Sequence, residues 1–313
     1  MISVKKRRAE NKKGVNAVLI IVIIFLLTVI FLMFKSFYLG DRITKLEVYL
    51  TEYYYSPDHL ETAMKNTLGD VYEEGWASNF DNYLYKLVID DVNKYEPAEI
   101  QKYNAIFSRE RSENVMGQID EVGEVSVSLL EDGICCIKIG DFSKGETYEM
   151  LTESMDILQA ADKFIIDLRR NSGGYIEELI KIMSLFYPNE QVVFTELRGG
   201  ELKEHTAFSK SKIHFEKIVF LCDEKTASSA EVMIFNMNSD FNDKIFIVGK
   251  STYGKYFEYS FDKSVTEHLF IFVSGLMCNA NGETFGVNGI APEYEAEGDQ
   301  CIETALKLLK NEK

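Results

Sequence analysis

The sequence contains no Cys-x-x-Cys spacing and no clustered histidines; its four histidines stand apart at 59, 205, 214 and 268. Metal sites of the zinc type are built from such clusters, so no metal centre is expected. Of five cysteines, two are adjacent, Cys135 and Cys136, inside an apolar run. That is the pattern of buried packing residues rather than of a disulfide framework. Neither G-x-G-x-x-G nor G-x-x-x-x-G-K-S/T occurs, which removes the standard nucleotide-phosphate loops. Internal repeats and low-complexity stretches are also missing. Basic residues are scarce beyond the N-terminus: 6 of the 34 lysines and arginines precede residue 14, with one acid, Glu10, leaving 28 basic against 49 acidic residues and a net charge of −21 for the rest. Phosphate backbones would be repelled by a surface this acidic, so nucleic acid is excluded as a partner.

What the sequence does have begins at the N-terminus. Lysines and arginines at 5, 6, 7, 8, 12 and 13 precede Ala17 to Phe34, an apolar run interrupted only by Thr28. Its length suits a membrane-spanning helix, and the flanking positive charge favours the cytoplasmic side. No small-x-small cleavage site follows, so a retained signal anchor is expected. The expected organisation is a basic cytoplasmic tail over 1–14, an anchor over 15–36, a helical segment over 37–118 and a core domain over 119–313, outside the cytoplasm.

From Arg42 to about Asn114 the chain is tyrosine-rich and reads as helical. Ser56-Pro57-Asp58 is a helix start, followed by Leu60, Met64 and Leu68 at helical spacing, and a second helix is predicted from Phe80 to Tyr95 with Pro97 as its stop. Beyond Asn114 the periodicity changes. Val125 to Leu130 and Gly133 to Ile139 read as a hairpin. Strands are then predicted at 163–168, 191–195, 218–222 and 244–248, with helices at 147–161, 175–186, 227–237 and 301–309, and a second hairpin pairs 257–261 with 268–274. Alternation of strand and helix from 133 to 250 predicts an α/β domain with a largely parallel central sheet.

Two stretches carry chemistry. Ser228, within Lys225-Thr226-Ala227-Ser228-Ser229-Ala230-Glu231, falls where a strand turns into a helix. There the free N–H groups and the partial positive charge of a helix N-terminus favour a developing oxyanion. The segment also reads as a simple helix cap. Upstream, Asp167-Leu168-Arg169-Arg170-Asn171-Ser172-Gly173-Gly174 links a strand to a helix, and its paired glycines allow positive φ with N–H groups aimed at an oxygen.

These two stretches, followed in order by Gly249-Lys250-Ser251-Thr252-Tyr253-Gly254-Lys255 and Gly289-Ile290-Ala291-Pro292-Glu293, resemble the C-terminal processing peptidase (tail-specific protease) family. The resemblance spans residues 120 to 295, with Tyr53 to Asp70 looser. It implies a crotonase-like α/β core, a peptide or protein substrate, no cofactor, and a Ser-Lys dyad. Ser228 would be the nucleophile, Lys255 the base, and Gly173 or Gly174 with the N–H of Ser229 the oxyanion hole. Ser229 is the alternative nucleophile. A serine hydroxyl needs a base, and a lysine serves only if burial depresses its pKa.

Two departures from the family stand out. After its lysine the family continues Gly-Thr-Val-Gln, where this chain has Tyr256-Phe257-Glu258-Tyr259. Tyr259 takes the place of the lysine-orienting glutamine, and a carboxylate at Glu258 that touched Lys255 would hold it charged. No PDZ-type module lies between the helical segment and the core. The expected function is a membrane-anchored extracytoplasmic serine endopeptidase. The alternatives are a catalytically inactive relative that binds peptides or a membrane partner and, from the fold alone, an acyl-transfer or crotonase-like activity.

Overall fold

The structure, a computed structural model, describes residues 23–34, 40, 41, 44, 62–64, 105–107 and 123–310, apart from 209–212 and 263–268. The chain divides into two compact units, Met1–Thr51 with Asp58–Glu96, and Glu52–Pro57 with Pro97–Lys313. In the first unit, residues 23–34 and 62–64 are helical, and Ala63 is buried. Among the described residues no helix is long and apolar enough to cross a membrane. The rest of the expected span 15–36 and the expected helix at 80–95 lie outside the described residues.

The described residues of the second unit form two sheets. In the larger, β2 (Val125–Leu129) and β3 (Ile134–Ile139) form the expected hairpin. Its turn is closed by Asp132 and Gly133, both at positive φ (61° and 72°). From β3 the sheet continues in parallel through β4 (Lys163–Asp167), β7 (Lys217–Cys222), β8 (Ile245–Gly249) and the two-residue β11 (Tyr294–Glu295). Alternate residues of these runs go to opposite faces, as period two demands. Phe164, Ile166, Ile218 and Phe220 enter the main core, while Ile165, Val219 and Leu221 meet a helix on the other face. Burial on both faces is why these strands read as unbroken apolar runs. Each large side chain so buried contributes about 1.5–3 kcal/mol.

Among the described residues, five helices cover this sheet. The predicted helix at 147–161 is two, α1 (Thr147–Thr152) and α2 (Met155–Ala160), broken where Ser154 leaves helical geometry at φ −101°, ψ 21°. Helix α3 (Ile176–Phe186) and helix α4 (Ser229–Asp240) supply the main core. Helix α5 (Gln300–Lys310) packs Cys301, Ala305 and Leu309 on the opposite face.

A second sheet, antiparallel throughout, accompanies the expected largely parallel one. β1 (Ala105–Phe107), β10 (Leu269–Cys278), β5 (Gln191–Arg198) and β6 (Glu201–Ala207) pair in that order, and β9 (Phe257–Asp262) pairs with β10, all antiparallel. β1 lies in a stretch that reads as helical, and β6 is not anticipated at all. The fold is therefore α/β with mixed sheets. The ends of β3, β4, β7 and β8 all point the same way, so their four following loops gather at the carboxyl edge of the parallel sheet, where open α/β folds place their sites.

Candidate active site

The glycine loop after β4 is fixed group by group. Asp167 holds Arg169 with two oxygens (2.8 and 2.6 Å). Buried Asn171 donates to Ile139 O (2.9 Å), accepts from Gly173 N (2.8 Å), and offers its own carbonyl to Ala227 N (2.9 Å). Phe142 straddles the loop, donating to Gly173 O (3.0 Å) and accepting from Tyr175 N (2.8 Å). Glycine is required twice. At φ 103° a Cβ on Gly173 would lie 2.7 Å from the Ser228 Cβ, and at φ 147° one on Gly174 would lie 2.5 Å from Phe142 O.

The serine turn is built on Asp223, which follows β7. Its Oδ1 accepts from Lys225 N and Thr226 N (3.0 and 3.1 Å), while Thr226 Oγ1 donates to Leu168 O (2.8 Å) across the gap to the glycine loop. Ser228 then adopts φ 56°, ψ −123°, a conformation that L residues avoid. Such strain costs about 1–3 kcal/mol and persists only where surrounding contacts impose it. Here they do. The Ser228 N–H donates to Glu231 Oε2 (2.8 Å) and its carbonyl accepts from Val232 N (2.9 Å).

Ser229 and Ser228 are neighbours with different environments. The Ser229 hydroxyl is buried and donates to Gly174 O (2.8 Å), so it is committed to the glycine loop. Of the expected oxyanion donors, Gly173 N–H is taken by Asn171. The N–H groups of Gly174 and Ser229 have no acceptor among the described residues. They are the two donors left beside Ser228.

Lys255 follows β8 in a loop tied to both neighbours. Tyr253 N donates to Thr226 O (2.9 Å), and Thr252 exchanges hydrogen bonds with Ile290, its N–H to Ile290 O (3.1 Å) and Ile290 N to its Oγ1 (2.7 Å). The glycines of this loop sit where side chains cannot: a Cβ on Gly254 would be 2.2 Å from Val287 O, and one on Gly289 would be 2.4 Å from Thr252 O. The closing Gly-Ile-Ala-Pro motif thus serves as the clamp on the lysine loop.

Between the two loops lies Glu231, fully buried. Its Oε1 accepts from Thr252 Oγ1 (2.5 Å) and Gly254 N (2.6 Å), and its Oε2 accepts from Lys255 N and Ser228 N (both 2.8 Å). Burial lifts its pKa above the usual carboxylate range, opposed by these four hydrogen bonds. Sequence reasoning gave Glu231 no role. Its spacing from Ser228 is that of a capping box, which signals the contact to Ser228 N; the reach to residues 252–255 is tertiary and leaves no local signature.

The Lys255 amine lies over the Tyr259 ring, 4.3 Å from its centroid, and no hydrogen bond joins it to the Ser228 hydroxyl. Burial pulls the Lys255 pKa down to about 8, against the raising pull of Glu231 and Glu258. The face of Tyr259, rather than its hydroxyl, meets the amine. Glu258 pairs with Arg198.

Comparison with known proteins gives the family of the chain. Residues 133–296, more than half of the chain, match the profile described as Peptidase family S41. The chain belongs to this family of serine-type peptidases. It is 29% identical over 182 residues to the carboxy-terminal processing protease CtpA of Bacillus subtilis, covering 56% of this chain and 38% of that protein. To the carboxyl-terminal-processing protease of a Picosynechococcus species it is 30% identical over 121 residues, 38% of this chain and 28% of that protein. The chain therefore spans less than half the length of these curated relatives. Among solved structures, a lipoprotein from Streptococcus agalactiae superposes with a TM-score of 0.58 at 18% identity, covering 88% of this chain and 96% of that one. A putative S41 protease from Bacteroides fragilis superposes at 0.51 and 15% identity, covering 60% and 57%.

Proposed function

We propose that this protein is a serine endopeptidase that cleaves exposed peptide segments through an acyl-enzyme on Ser228, with Lys255 as general base. The observation that carries this reading is Glu231. One buried carboxylate oxygen receives the backbone N–H of both residues, so the two loops are held in a fixed relation next to two unoccupied N–H donors. In the proposed sequence the neutral Lys255 amine leaves the Tyr259 ring face and takes the Ser228 proton as Oγ attacks the peptide carbonyl. The oxyanion accepts from Gly174 N and Ser229 N. The lysine ammonium then protonates the departing amine, leaving an ester on Ser228. Water, deprotonated by the same amine, adds to the ester, and the second collapse frees a carboxylic acid and restores Ser228. Catalytic hydrogen bonds often form only in the substrate complex, which fits an amine resting elsewhere in the free enzyme. A lysine with a pKa near neutrality suits a base at physiological pH.

The basic tail 1–14 and apolar stretch 15–36 support anchoring of the protein in a cell membrane, with the peptidase domain outside the cytoplasm. Digestion of an unfolded protein substrate tests the activity. Wild type should cleave it, and Ser228→Ala, folded equally by circular dichroism, should not. Full turnover by Ser228→Ala overturns the assignment.

A second reading, a peptidase-like protein that binds peptides without cleaving them, draws on the missing Ser228–Lys255 hydrogen bond. Saturable peptide binding with no digestion and no labelling of Ser228 by a fluorophosphonate would favour it.

A further inference from the structure

The turn that carries the glycine loop out of β4 holds an arginine where glycine is the usual residue. Asn171 N donates to Leu168 O (3.1 Å), which closes a four-residue turn with Arg170 in third place at φ 66°. Turns with positive φ at that position ordinarily take glycine or asparagine, because the Cβ of other residues crowds the following carbonyl. Among the described residues, the other non-glycine positions at positive φ are Asp132, in a hairpin turn, and Ser228 itself. The backbone is held there from outside: Arg170 N donates to Asp223 Oδ1 (2.9 Å) on the serine turn. The side chain takes no part in this. Among the described residues its guanidinium has neither an ion pair nor a hydrogen bond. A strained position whose side chain the fold does not use points to function.

Arg170 lines a cavity of about 350 Å³ at the carboxyl edge of the parallel sheet, between the loops after β4, β7 and β8 and the entry to α5. Three of the four lining cations are already paired, Arg169 with Asp167, Lys250 with Glu297 and Lys138 with Glu124. Arg170 is the fourth. The acids of the wall are engaged as well: Asp167 and Glu297 in those pairs, Asp223 on the N–H groups of residues 170, 225 and 226, and Glu224 beside Lys250. We propose that the Arg170 guanidinium and this cavity form a subsite for a carboxylate of the peptide substrate, either an acidic side chain or the C-terminal group. This rests on the peptidase reading above. A guanidinium is a planar fork that receives a carboxylate through two parallel hydrogen bonds. The chain as a whole, at net charge −16, repels acidic peptides, so a local cation has to supply the attraction. Its place relative to the chemistry follows from the loops. Ala227 N donates to Asn171 O (2.9 Å), and Arg170 and Ser228 are the adjoining residues. Their Cα atoms therefore lie within about 14 Å of each other. With the reach of the arginine added, an extended peptide at about 3.3 Å per residue brings the bound carboxylate within about six residues of the scissile bond.

The test compares fluorescent overlapping peptides from the unfolded protein substrate in three forms: unchanged, with Asp and Glu replaced by Asn and Gln, and with an amidated C-terminus. Wild type should cleave the carboxylate form of at least one set with kcat/KM about three- to tenfold above its neutral counterpart. A preference in the side-chain set assigns an acidic residue, and one in the amidated set assigns the terminal carboxylate. In Arg170→Gly the ratio should fall to about one, while Tm stays the same or rises because glycine suits the turn. Arg170→Lys should keep part of the preference, and Arg170→Glu should reverse it. If wild type shows no preference in either set, or Arg170→Gly keeps it undiminished, the subsite is overturned. A Tm lowered by several degrees in Arg170→Gly overturns it too, since the arginine would then be holding the loop. If Arg170→Gly does not fold, Arg170→Gln carries the same readout. Binding of the same peptides to Ser228→Ala, followed by fluorescence anisotropy, separates the two levels. Digestion without carboxylate preference sinks only the subsite, whereas carboxylate preference in binding with no digestion by wild type sinks the peptidase reading and leaves the subsite standing.

Discussion

Glu231 receives the backbone N–H of Lys255 on the same carboxylate oxygen that receives the N–H of Ser228, each at 2.8 Å. The side chain therefore holds backbone rather than side chains, and its loss leaves buried donors unpaired. An unsatisfied buried donor costs about 1–3 kcal/mol. Glu231→Ala should lower unfolding free energy by about 3 kcal/mol or more, read by urea denaturation. Peptide digestion should vanish even under conditions where the variant is folded.

The Ser229 hydroxyl fixes the carbonyl of Gly174, the residue whose own N–H borders Ser228. Ser229→Ala should lower kcat about tenfold with KM little changed, because an oxyanion donor acts on the transition state more than on bound substrate. Fluorophosphonate labelling at Ser228 should persist. Loss of labelling together with retention in Ser228→Ala would make Ser229 the nucleophile instead.

Lys255 also carries a stability signature. Its folded pKa of about 8 is below the value of about 10.4 expected for an unfolded lysine, so between these values the unfolded chain binds more protons. The penalty for burying the ammonium is complete below about pH 8 and is relieved as pH rises toward 10. Lys255→Met should abolish digestion yet raise Tm at pH 7 by a few degrees, roughly 1 kcal/mol. That advantage over wild type should shrink between pH 8 and 10. An equal Tm gain at both pH values would mean that packing rather than charge is responsible.

Gly173→Ala tests the close approach of the two loops. The new methyl would stand 2.7 Å from the Ser228 Cβ at φ 103°. Destabilisation of about 2 kcal/mol or more and loss of digestion are expected. A variant with wild-type turnover would show that the loops do not meet as described.

Much of this was legible in the chain itself. The unbroken apolar runs of β4, β7 and β8 identify buried parallel strands because both of their faces are covered. Ser228 and Lys255 stand in the loops after β7 and β8. Other parts were hidden for physical reasons. β6 has four exposed residues in a row, so it lacks the alternation that marks a strand. Its signal was the turn before it, Gly199-Gly200, with φ 59° and 80°, the two-residue hairpin geometry. β1 is only three residues long, too short to show any period, and is defined by its pairing with β10. The pairing of Glu258 with Arg198 was equally out of reach, since it joins residues 60 positions apart on two different strands. The sequence raised the doubt about Glu258 but held no information on which way it turns.

The Thr252–Ile290 pair, which closes the lysine loop, has a kinetic meaning as well. The loops that compose the site leave the chain between residues 140 and 256, and the last of them is fastened by residues 287–290. Such long-range closures come late, because the entropy of joining distant segments is lost before any contact rewards it. A chain still folding therefore carries its serine and lysine without the frame that makes them a pair. The arrangement of these loops arises only with the finished domain, so that the order of folding itself decides when the two residues come together.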